Sequence, residues 1–67
     1  MQTIVEAIDR HGRVTVNADQ ITAHEAGQVV ALAYRLNRQI VKSSRVMVPT
    51  PGVPGAVHPV FLFWTTD

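Results

Sequence analysis

From Thr22 to Ser44 apolar residues recur at helical spacing, and no other stretch is long enough to set the architecture by itself. The segment opens Thr22-Ala23-His24-Glu25, in which Thr22 can cap a helix and Glu25 can reach back to it. Asp19 is a rival cap. At about 100° per residue, Ala26, Val29, Leu32, Ala33, Leu36 and Ile40 fill one arc of roughly 120°. Ala23, Val30, Tyr34 and Val41 widen the apolar arc to about 200°. That is more than one face of a small sheet needs, so its flank calls for a second cover. Ala23, Gly27 and Ala31 form a ridge of small side chains that either tolerates a glycine in solvent or admits a partner helix.

The flanking segments read as strands. Val14 and Val16 alternate with Arg13, Thr15 and Asn17, the pattern of a half-buried strand. With Asp9-Arg10-His11-Gly12 as a turn, residues 2–17 make a β-hairpin pairing Val5 with Val16 and Ala7 with Val14. Ile4 and Ile8 then point away from the core face, without cover. After the helix, 45–48 is a short strand, 49–56 a stiff Pro/Gly loop and 57–66 a last strand. Val60-Phe61-Leu62-Phe63-Trp64 is apolar on both faces, so this strand is central or covered twice. The expectation is one α+β domain over 1–67: hairpin 2–17, one long helix 22–44, two C-terminal strands (ββαββ), and an antiparallel sheet on one helix face.

Sixty-seven residues bury only about 60% of the unfolded surface. The chain has no cysteine, so neither a disulfide nor a thiolate metal site can reinforce it, and oligomerisation is the remaining route. Outward isoleucines, a two-sided strand and an over-wide helix arc together favour a homodimer or an obligate protein partner. The competing reading is a monomer whose sheet folds over itself. The candidate interface comprises Ile4, Ile8, Gly27, Val30, Tyr34, Phe61, Phe63 and Trp64. Glu6, Asp9 and Arg10 interrupt the first residues, so no secretory leader is expected there, and the location expected is cytoplasmic. Five arginines to one lysine suggest a GC-rich bacterial or phage genome.

Chemical motifs are sparse. His24-Glu25 begins a zinc-protease pattern, but Gln28 stands where its second histidine belongs. His11, His24 and His58 are scattered, and Ser43 and Ser44 suit a helix end better than a nucleophile's place. No catalytic residue, metal or cofactor is expected. A net charge of +1 gives no global pull toward nucleic acid. Arg35, Arg38, Lys42 and Arg45 nevertheless fall within eleven positions, the three helical ones on one edge, either as a phosphate-following stripe or as cations matched to the helix dipole. The reading that follows is a non-enzymatic protein-interaction module, homodimeric or binding a larger protein, with phage-encoded modulation of a host protein as one form. The alternative is a small dimeric DNA- or RNA-binding protein using that basic edge.

Overall fold

A computed structural model describes residues 1–66. The elements run α1 (Gln2–His11), β1 (Arg13–Asn17), α2 (Ala23–Asn37), β2 (Val41–Pro49) and β3 (Val57–Thr65). The class is α+β with a three-stranded antiparallel sheet, ordered β1-β3-β2. Two helices lie on it rather than one, so the topology is αβαββ and not ββαββ.

The N-terminal half of the expected hairpin is a helix. Ile4, Val5 and Ile8 fall on one helical face, Val5 and Ile8 are buried, and Ile4 packs against the same cluster. Gly12 does take a left-handed conformation, with φ 76°, but it stops α1 instead of turning a hairpin; its N–H donates to the Ile8 carbonyl at 2.7 Å. The strand partner of β1 is therefore β3, with Val14 opposite Phe63 and Val16 opposite Phe61.

The cap of α2 forms as its sequence implies. Glu25 N–H donates to Thr22 Oγ1 at 3.1 Å, and Thr22 N–H donates to Glu25 Oε1 at 2.9 Å. The other end comes seven residues early, at Asn37 rather than Ser44. Arg38 adopts φ 53°, its N–H donates to Tyr34 O at 2.9 Å, and its guanidinium lies 5.5 Å from the Tyr34 ring centroid. Val41, Ser43 and Ser44 pass into β2, which runs 41–49 instead of 45–48. The physical reason is β3: an apolar central strand needs a ladder on both sides, and a helix through residue 44 would shorten the second one. Leu36 and Ile40, assigned above to the core arc, are 53% and 59% exposed.

Residues paired across the ladders share a face. Val14, Val16, Phe61, Phe63 and Val41 face the helices and close the core with Val5, Ile8, Ala26, Val29 and Ala33. Arg13, Thr15 and Asn17, with Val60, Leu62 and Trp64 and then Lys42, Ser44 and Val46, make the opposite face. No helix covers it.

Glycine substitutions test these assignments. Gly27 faces solvent and a Cβ there meets nothing within 4 Å, so Gly27→Ala is expected to stabilise the fold by about 1 kcal/mol. Gly12→Ala must hold a left-handed alanine and is expected to cost about 1–2 kcal/mol. Urea midpoints should move in opposite directions.

Candidate interaction surface

The β2–β3 hairpin outreaches the helices. The molecule measures 40 × 22 × 17 Å, and Met47 and Val57, on the helix side of the hairpin, are 55% and 58% exposed. The helix layer covers the Val41 end of β2 and leaves the half beyond Arg45 bare.

Among the described residues no strand pairs with the outer edge of β2, and its polarity follows from three backbone bonds. Thr50 N–H donates to Ala56 O at 2.9 Å, so even-numbered residues of β2 turn their amides and carbonyls toward β3. By alternation Val41, Ser43, Arg45 and Met47 turn theirs to the open edge. Ala18 N–H donates to Pro59 O, and Thr65 N–H to Gly12 O, each at 3.1 Å, so odd-numbered residues of β3 face β1. The strand prolines fit this scheme. The N–H that Pro59 lacks would lie past the last β1–β3 pair, Asn17 with Val60, and that of Pro49 would lie on the open edge. Neither removes a ladder bond.

A groove of about 670 Å³ opens on the bare sheet face near the hairpin tip, between Thr15, Asn17 and Asp19 on one side and Val48, Pro51 and His58 on the other. Within it the Thr50 hydroxyl and His58 Nδ1 are 3.0 Å apart.

The candidate interface residues separate into three environments. Ile8, Phe61 and Phe63 are buried within the chain's own core and present no surface. Ile4 and Val30 are half-buried against that core, while Gly27 and Tyr34 stand exposed on α2, and Ala23 and Ala31 are exposed beside Gly27. Trp64 is half-buried on the bare sheet face. The basic stripe is divided in the same way. Arg35 and Arg38 stay at the end of α2, whereas Lys42 and Arg45 lie on β2 with their side chains on opposite faces of the sheet. No continuous helical edge carries all four.

Family models, curated proteins and solved structures were compared with the chain, and none matches. Among the described residues no three histidine, aspartate or glutamate side chains converge to hold a metal, and no helix is long and apolar enough to cross a membrane.

The functionally suggestive features missed above are the β2 edge and the row Arg13–Trp64–Lys42, which runs across three strands. Neither is visible without the register. The contrast between the two sheet faces is measurable. Phe63→Ala removes a fully buried ring and is expected to cost about 3–5 kcal/mol in urea denaturation, at any protein concentration. Trp64→Ala, on the bare face, is expected to cost about half as much or less.

Proposed function

We propose that this chain is a non-enzymatic protein-interaction module that acts as a homodimer, joined along the free edge of β2. The observation that supports this most is self-complementarity. In an antiparallel pairing centred on Ser44, Val41 lies opposite Met47 of the other copy, Ser43 opposite Arg45, and Lys42 opposite Val46. The outward amides and carbonyls of the odd residues then meet one another, and no like charges are opposed. Centring on Arg45 would set arginine against arginine, and centring on Ser43 would shorten the overlap.

This pairing also relieves the exposed apolar surface. The bare half of each hairpin slides beneath the other copy's helix layer, so Met47 reaches the Val41 end of the partner strand. Ile40 and Val48 meet in the same register, on the sheet face away from the helices. Two three-stranded sheets become one of six strands, and the free edge of β2 disappears, leaving only the short β1 at either end. A nine-residue edge strand with Lys42 and Arg45 as its only charges has little else to discourage pairing. The dimer is the state from which any larger partner would be engaged.

Two proline substitutions separate dimerisation from folding. The Ser43 N–H points to the open edge, so Ser43→Pro leaves the β2–β3 ladder intact and blocks the partner strand. The Ser44 N–H serves that ladder, so Ser44→Pro is expected to unfold the chain. Sedimentation equilibrium should give twice the monomer mass for the unaltered chain and the monomer mass for Ser43→Pro, with its circular dichroism unchanged. A monomeric unaltered chain at high micromolar concentration, or a dimer that survives Ser43→Pro, would refute the edge pairing.

A further inference from the structure

The bare sheet face carries one aromatic ring between two cations. Trp64 on the central strand is paired with Arg13 on β1 and with Lys42 on β2, so the three side chains form a single row across the sheet. Neighbouring strands are about 4.8 Å apart, which sets each cation one strand from the indole. The next row is Thr15–Leu62–Ser44 and the one after it Asn17–Val60–Val46. Hydroxyls, an amide and apolar side chains thus follow the cationic row. Among the described residues no carboxylate stands in these three rows. Glu6 and Asp9 belong to α1 and Glu25 to the α2 cap, all on elements that pack against the other face, and Asp19 lines the groove with Thr15 and Asn17, at the end of these rows away from the two cations.

We infer that the Arg13–Trp64–Lys42 row, with Thr15 and Ser44 beside it, is a binding platform for single-stranded nucleic acid. An unpaired base offers its π-face to the indole, and the flanking phosphates find a cation on either side. The hydroxyls of Thr15 and Ser44 can donate to or accept from a base edge. Charge selects a polyanion over a neutral aromatic ligand, and the flat, one-ring platform selects unpaired bases over a duplex, whose bases are already stacked. Neither reason depends on self-association, because the row lies on the face of the sheet and not on its edge. Arg35 and Arg38, at the end of α2, take no part.

Trp64 is the only tryptophan, so its fluorescence reports this row alone. Titration with an oligothymidylate of about 12 nucleotides is expected to quench it to saturation. The affinity should fall with salt at a log–log slope of about −1.4, the value for two phosphate contacts on a single strand. Arg13→Glu and Lys42→Glu are each expected to weaken binding at least ~10-fold. Trp64→Leu should weaken it about 10-fold, read by anisotropy of a labelled oligonucleotide. Arg13→Gln and Lys42→Gln repeat the test with a milder change, and circular dichroism verifies the fold of every variant. Arg35→Glu and Arg38→Glu should leave the affinity within about twofold. Any one of the following overturns the inference: no quenching, quenching indifferent to salt, equal affinity for a duplex of the same length, or a loss caused by the α2 variants and not by those in the row. Sedimentation of the same samples reports the edge pairing separately, so the two readings can fail independently.

Discussion

Phe63 holds this structure together. It sits on the central strand with no exposed surface, opposite Val14 on β1 and Ser43 on β2, and its core neighbours include Val5 and Ile8 of α1 and Ala26, Val29 and Ala33 of α2. Burying a side chain of this kind is worth about 1.5–3 kcal/mol before any cavity term, a large share of the margin of so small a domain. The small residues on α2 matter for the same reason, since Ala26 and Ala33 are buried in the same cluster, where α2 packs against α1 and β2. With β3 central, its two ladders and both helices depend on one another.

That arrangement uses all the helical cover on one side. Among the described residues no helix covers the sheet face bearing Val60, Leu62 and Trp64, of which only Val60 is buried, and no strand pairs with the outer edge of β2. These are separate consequences of the same shortage of chain. An exposed edge is answered by backbone pairing, for which a second copy of the same strand is the simplest match. A bare face with one indole and two cations suits a ligand that is both aromatic and anionic. Edge and face can therefore be occupied together, and the six-stranded dimer would carry two such rows on one continuous surface.

The α+β class, the Thr22–Glu25 cap, the Val14/Val16 strand and the apolar character of β3 were all legible in the residues. Each is a local pattern. The errors came where two periods fit the same residues. Ile4, Val5, Ala7 and Ile8 satisfy a strand in one register and a helix stripe equally, and a left-handed Gly12 serves either a hairpin or a helix stop. The helix pattern through Ile40 and Val41 was real, but the ladder with β3 claimed Val41 onward, and a non-glycine residue, Arg38, took the left-handed turn. Tertiary pairing overrode local period there. The surfaces were less legible still. That Ile8 and Phe63 lie inside while Leu36 and Met47 lie outside depends on which elements cover which, and the Arg13–Trp64–Lys42 row joins residues from the two ends and the middle of the chain.

The claim that β2 is the joining edge is tested most directly by amide hydrogen exchange, resolved residue by residue across a dilution series. Alternation predicts that Lys42, Ser44 and Val46 stay protected at every concentration, because their amides serve the ladder with β3. Ser43, Arg45 and Met47 should be protected in concentrated solution and lose that protection on dilution, all three together. Fast exchange of these three amides at every concentration would contradict the account.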